Sequence, residues 1–252
     1  MELLRYLLFL LPIFLIPNAW ADVVIQNDQQ YLGIDGSYHI VGEVYNGLDA
    51  PITQIEISSS LYANSELVDT ISASSLVNTI MPGMKGPFEI LATGKDVAYI
   101  DSYLLALDYK VSTPKSQVID VVDSEITRDA HNNLMIKGTV ANRGEITANI
   151  VSVVATLYDR SGNVAAVERI HTEPDYLRSN SEAFFLVSVP DKTQSSTVVD
   201  YSLVAESEEY AAVPEFPLGT SLLFVSSIIA YVAFTKYPNR FIANLVSAAD
   251  PK

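Results

Sequence analysis

Ile40-Val41-Gly42-Glu43-Val44-Tyr45-Asn46 and Ile136-Lys137-Gly138-Thr139-Val140-Ala141-Asn142 read as one strand written twice, 96 residues apart. Ile, Gly, Val and Asn recur in register, and the spacing holds downstream, where Leu61-Tyr62 meets Leu157-Tyr158. At the same offset Ser65, Val68 and Phe88 align with Ser161, Val164 and Phe184. Near the end of each unit the offset becomes 98, and Tyr103-Leu104-Leu105 meets Tyr201-Ser202-Leu203. Two residues gained over such a length suit a loop change within a repeated fold.

Each unit has a period of two. Tyr38, Ile40, Gly42 and Val44 face one way, and His39, Val41, Glu43 and Tyr45 the other. Ile55, Ile57, Ser59 and Leu61 alternate with polar neighbours, and Tyr103, Leu105, Leu107, Tyr109 and Val111 do the same later. Asn46-Gly47, Pro82-Gly83 and Asp159-Arg160-Ser161-Gly162 supply turns between such runs. Short alternating strands in units of about 95 residues predict an all-β ectodomain of two tandem immunoglobulin-like antiparallel β-sandwiches. Gly42 and Gly138 fall at inward positions in mid-strand, where a missing side chain lets a neighbour come close.

Composition places this ectodomain. The 252 residues hold 30 Asp+Glu against 15 Lys+Arg and no cysteine, yet mean hydropathy is +0.22. The acidity excludes a nucleic-acid partner, which needs basic surface to displace counterions. Without cysteine there is no disulfide framework and no thiolate metal site.

The apolar surplus sits at the two ends. Arg5, an uncharged run over residues 6–17, and Ala19 and Ala21 before Asp22 spell a cleavable signal peptide over residues 1–21. The alternative is an uncleaved anchor, for which the run is short and broken by Pro12. Residues 218–235 are uncharged and of spanning length, which predicts one C-terminal transmembrane helix. Lys236 and Arg240 flank it on one side, and Glu206, Glu208, Glu209 and Glu215 precede it on the other. Basic residues stay in the cytoplasm, so the expected protein is single-pass in the cell membrane, with its N-terminal ectodomain outside. The expected boundaries are repeat 1 over residues 22–113, repeat 2 over 114–205, a juxtamembrane linker over 206–217 and a cytoplasmic tail over 236–252. Stacked end to end, the first repeat would stand about 40 Å beyond the second.

The residues resemble a known family. Gly-x-Val-x-Asn, then Leu-Tyr-Asp, a turn glycine and a later Phe look like the FxLYD type of extracellular immunoglobulin-like domain. Repeat 2 carries Gly138, Val140, Asn142, Leu157, Tyr158, Asp159, Gly162 and Phe184; repeat 1 keeps Gly42, Val44, Asn46, Leu61, Tyr62 and Phe88. Repeat 1 departs at Ala63, where the family has Asp, and the family's leading Phe is Ser59 in one repeat and Ala155 in the other. The resemblance implies an exported sandwich without catalytic residues. Pro214-Glu215-Phe216-Pro217, followed by an apolar span and basic residues, is similar to the PEF-CTERM-type sorting signal of archaeal surface proteins. That resemblance implies recognition by a membrane transpeptidase-like enzyme, although this chain continues through residues 241–252. A stiff proline spacer is the plainer reading of the same four residues.

Signatures of catalysis are not found: no Gly-x-Ser-x-Gly elbow, no phosphate loop, no His-Glu-x-x-His helix. His39, His131 and His171 are read as surface histidines, and no cofactor is implied. Asp120, Asp123, Glu125 and Asp129, just after the linker around Pro114, form the one candidate Ca²⁺ cluster, set against the plainer reading of solvated surface. These features together point to a membrane-anchored cell-surface protein that binds or scaffolds other envelope proteins. The alternative is an accessory subunit of a membrane enzyme or transporter.

Overall fold

The computed structural model describes residues 22–95, 97–189 and 191–214. Its strands are β1 (Val23–Leu32), β2 (Tyr38–Asn46), β3 (Ile52–Ala63), β4 (Glu66–Ser74), β5 (Thr79–Ile80), β6 (Lys85–Ala92) and β7 (Ser102–Val111). After these come β8 (Ile119–Arg128), β9 (Leu134–Asn142), β10 (Ser152–Tyr158), β11 (Val164–His171), β12 (Glu182–Val189), β13 (Asp200–Glu206) and β14 (Val213–Pro214). The protein is all-β, with antiparallel pairing throughout the named strands. Among the described residues, no helix is long and apolar enough to cross a membrane. Ala19, Ala21, Glu215, Phe216, Pro217, the expected span 218–235, Lys236 and Arg240 lie outside the described residues.

The same sheet pattern occurs twice. In the first half β1-β2-β6 faces a sheet centred on β3, which pairs β4 and β5 on one side and β7 on the other. In the second half the order is β8-β9-β12 against β11-β10-β13, with β14 added beyond β13. Alternation in β2 and β9 sends Ile40, Val44, Ile136 and Val140 inward, each fully buried. The first core joins them to Ile52, Ile57, Leu61, Phe88 and Ile90, and the second to Val153, Leu157, Phe185, Val187 and Leu203.

Asn46 and Asn142 explain their recurrence. Both are fully buried at the ends of β2 and β9. The Asn46 amide donates to the carbonyls of Ala50 and Ile80, both at 2.9 Å, and its oxygen accepts from Leu48 N at 3.0 Å. Asn142 repeats the set with Ile146 O, Leu177 O and Gly144 N at 2.8, 2.9 and 2.8 Å. Each amide thus staples a turn to a neighbouring segment and satisfies main-chain groups that water cannot reach.

The glycines fill the role expected of them, but with a different phenylalanine. Gly42 lies opposite Phe88 and Gly138 opposite Phe185, so the second partner is Phe185 and not Phe184, which is 52% exposed. A Cβ on Gly42 would lie 2.8 Å from the Phe88 ring, and one on Gly138 2.6 Å from the Phe185 ring and 2.2 Å from the Asp123 carbonyl. The offset has grown to 97 by this point. Tyr62 pairs Leu67 whereas Tyr158 pairs Val164, so Val164 corresponds to Leu67 and not to Val68. The connection from β10 to β11 is one residue longer than that from β3 to β4, and a one-residue slip turns each side chain to the other face.

Ser59, at the first position of the resembled motif, points into the first core. It is fully buried, and its hydroxyl finds no hydrogen-bond partner among the described residues. Ala155 holds the equivalent place, opposite Leu203 as Ser59 is opposite Leu105. We expect Ser59→Ala to raise unfolding stability by about 1 kcal/mol, because an unpaired buried hydroxyl costs roughly that much. Urea denaturation checks this, and a lower midpoint in the variant would contradict it.

The expected juxtamembrane linker 206–217 begins inside the folded body. Tyr210, Ala211 and Ala212 are buried, and Val213 and Pro214 pair with Ala205 and Val204. The segment between the halves is held as well. Ser112 N donates to Pro51 O at 2.8 Å, Ala211 N to Ser116 O at 3.0 Å and the Gln117 amide to Ala212 O at 2.5 Å. The described residues from Asp22 through Pro214 therefore belong to one compact unit. The halves do not stack end to end; they meet face to face, since apolar side chains on the outer faces of two sheets need cover.

Candidate functional site

The outer face of β1-β2-β6 packs on the outer face of β11-β10-β13, and this seam collects the polar chemistry of the molecule. Val41, Val164 and Val167 form its apolar centre, flanked by Tyr31, Leu76 and Tyr158. Gln29 crosses it, donating from its amide to Val164 O at 2.6 Å.

On one side of this centre Glu43, expected from its alternation to face solvent, has a side chain only 1% exposed. Its Oε1 accepts from Asn27 Nδ2 and Lys85 Nζ, both at 2.6 Å, and its Oε2 from the Tyr158 hydroxyl of the other half at 2.9 Å. Asn27 can reach because a bulge in β1 between Gln26 and Gln29 leaves it unpaired, in the left-handed region at φ 56°. Burial first, and then the adjacent Glu43 carboxylate, raise the Tyr158 phenol above its usual pKa, so it stays a donor. Lys85 also sits 5.9 Å from the centre of the Tyr158 ring. Beside this group a cleft of about 190 Å³ opens between the halves, walled by Met84, Pro87 and Val204 with Thr156 and Ser202. Its charges are already paired, so it offers hydroxyls and apolar walls to any occupant.

Glu206 and Arg169 form a second crossing. The Glu206 side chain is 1% exposed and lies 3.1 Å from the Arg169 guanidinium. Its two oxygens accept from Asn78 N of the other half at 3.2 and 3.0 Å, while Arg169 donates to Leu76 O at 2.8 Å and to Ser152 Oγ at 3.0 Å. The acid and base of one half thus clasp the main chain of residues 76–78 in the other. Burial outweighs the Asn78 amide and the Arg169 and Lys115 charges and lifts the Glu206 carboxyl to about 7.

A third group surrounds His39, which the sequence places on the exposed face. Its Nδ1 lies 2.7 Å from Glu89 Oε1, its Nε2 2.7 Å from Ser37 Oγ, and its ring stacks on Tyr31 at 4.5 Å. Hydroxyl, imidazole and carboxylate in that order have the outline of a nucleophilic triad. The donors, however, run the other way. Ser37 Oγ also contacts Asp35 Oδ1, and two hydrogen bonds from Ser37 hold the Asp35 carboxyl below its ordinary range. A hydroxyl that gives its only proton to Asp35 has none to give to the imidazole, so Ser37 is not set up as a nucleophile activated by His39. The chain from Asp35 to Glu89 is a structural hydrogen-bond wire.

The acidic residues singled out in the sequence do not converge. Asp120 and Asp129 stand at either end of β8, about 30 Å apart at strand rise. Asp120 reaches Arg143 at 4.0 Å and Glu125 pairs with Lys137 at 3.0 Å. Asp129 accepts from His131 N and Asn133 N, both at 2.8 Å, and closes its own turn. Asp123 sits at the β8 bulge opposite Thr139. Among the described residues, no three His, Asp or Glu side chains are placed to hold a metal ion. Glu206, read as one of the acids before the membrane, belongs to the seam instead.

No family model and no curated protein match this chain. Among solved structures, red sea bream transglutaminase is similar over 78% of this chain and 31% of its own, at 11% identity and a TM-score of 0.23. A calcium-binding mutant of Bacteroides uniformis beta-glucuronidase 2 is similar over 76% of this chain and 27% of its own, at 10% identity and a TM-score of 0.27. The chain thus spans about a third or less of the length of either.

Proposed function

We propose that this chain is a membrane-anchored cell-surface protein whose paired immunoglobulin-like sandwiches form a non-catalytic ectodomain for binding or scaffolding at the envelope. The observation that supports this reading is the seam. Its most buried charged residues, Glu43 and Glu206, each accept a hydrogen bond from the opposite half, which makes their role one of assembly. A body of two packed halves suits the presentation of binding surfaces at the envelope. In this reading residues 1–21 are removed, residues 218–235 span the membrane, and the sorting motif begins at Pro214, which pairs in β14. Processing would then fall after the last described strand and leave the seam intact.

Membrane fractionation with intact-mass analysis tests the proposal. The expected result is a protein that resists alkaline carbonate, needs detergent for release, and begins at Asp22. Release by carbonate alone, or an intact Met1, would overturn it. Native electrophoresis of the mild-detergent extract separates the alternative, since an accessory subunit would migrate only within a complex containing a larger enzyme or transporter.

A further inference from the structure

The two halves differ at one edge. In the second, β14 lies alongside β13, and Leu203 and Ala205 beneath it are fully buried. In the first, the equivalent strand β7 pairs with β3, and no described strand pairs with its other edge. Its inward residues Tyr103, Leu105, Leu107 and Tyr109 are only half-buried, and Leu104 is 65% exposed. A ten-residue edge above an incompletely closed core is a template for a further strand.

The sequence of β7 specifies what that strand is. Tyr103-Leu104-Leu105-Ala106-Leu107-Asp108-Tyr109 reads Tyr-x-Leu-Ala-Leu-x-Tyr in both directions about Ala106. Two antiparallel strands related by a two-fold axis place residue 106 − n opposite 106 + n of the other copy, so such a palindrome is self-complementary. With the axis at Ala106, Tyr103 meets Tyr109 and Leu105 meets Leu107 on the inner face, each pair formed twice. On the outer face Leu104 meets Asp108 and Ser102 meets Lys110, so no like charges are opposed. Asp108 and Lys110 also cancel, so the strand is neutral in an ectodomain (residues 22–217) of 28 Asp+Glu and 11 Lys+Arg. Two copies would repel each other least here.

We infer that β7 is a homophilic edge through which two copies of this chain join, antiparallel and in register about Ala106, into one continuous sheet.

The absence of cysteine makes the test direct. In the full-length chain in native membranes, Ala106→Cys places two thiols opposite each other on the axis, within the Cα separation a disulfide accepts. Mild oxidation is expected to convert it to a covalent dimer. Mixing Ser102→Cys with Lys110→Cys chains is expected to give a heterodimer, while Glu125→Cys on β8 stays monomeric. Ala106→Lys, which opposes two ammonium groups at an exposed position, is expected to abolish a dimer seen by non-covalent mass analysis while leaving the midpoint unchanged at dilutions where the parent is monomeric. Cross-linking of Ala106→Cys no greater than that of Glu125→Cys, or a dimer that survives Ala106→Lys, would overturn the inference.

Discussion

We expect the melting midpoint to fall as pH rises from 5 to 8, and Glu206→Gln to flatten that dependence. Folding lifts the Glu206 carboxyl from the ordinary 4.5 to about 7. Between those values the folded chain holds a proton that the unfolded chain has released, so unfolding is favoured as pH climbs. The stabilising contribution is complete below about 4.5 and gone above about 7. A shift of that size corresponds to about 3 kcal/mol at 1.36 kcal/mol for each pH unit. For a fold of this length, that is a midpoint change of roughly 6 to 12 °C. Gln keeps the oxygen that accepts from Asn78 N and removes the titration. Scanning calorimetry of both proteins across the window decides the matter, and parallel slopes would remove Glu206 as the cause.

A larger loss is expected from Asn142→Ala, with Asn46→Ala as its counterpart in the first half. Truncating Asn142 leaves Ile146 O and Gly144 N without their buried amide partner and removes one of two donors from Leu177 O, which keeps Ala148 N. Each unsatisfied group costs about 1 to 3 kcal/mol, so we expect a loss near 4 kcal/mol, enough to leave a marginal domain largely unfolded at ambient temperature. Asn142→Asp provides the contrast: it keeps the acceptor for Gly144 N but turns two donors into repelled oxygens, and should be no milder. Circular dichroism in a denaturant series reads all three, and a loss under 1 kcal/mol for Asn142→Ala would show that water replaces the amide.

Much of this architecture is written in the chain, and its gaps have a physical pattern. Alternation places Ile40, Gly42 and Val44 on the core face of β2, and the recurrence of Asn46 at Asn142 marks a staple used twice. Alignment names Phe184 and misses Phe185 by one position, because a single inserted residue upstream leaves similarity intact while reversing sides. The seam was less legible. Val41, Glu43 and His39 alternate as solvent-facing residues do, and period alone cannot distinguish a face covered by water from one covered by another sheet. The one available signal was Val41, an aliphatic residue among polar neighbours, and a lone exposed valine is too common to mark an interface. Glu206 was hidden among nearby acids whose count suggested a membrane flank. Burial by a distant strand, not local sequence, sets its chemistry.

The seam also depends on where the two halves differ. Sheet register maps Val41 and Glu43 onto Lys137 and Thr139, and Val154, Arg169 and Glu206 onto Ser58, Ser72 and Asp108. At these positions the outer face of β8-β9-β12 therefore lacks the valine and the carboxylate, and that of β4-β3-β7 lacks the valine and the guanidinium while keeping an acid at Asp108. A third unit added by copying either half would find no matching clasp, and Lys137 would have to leave Glu125 to be covered. The divergence between the halves thus makes the seam a heterologous contact, in which each half recognises the other and neither recognises a copy of itself.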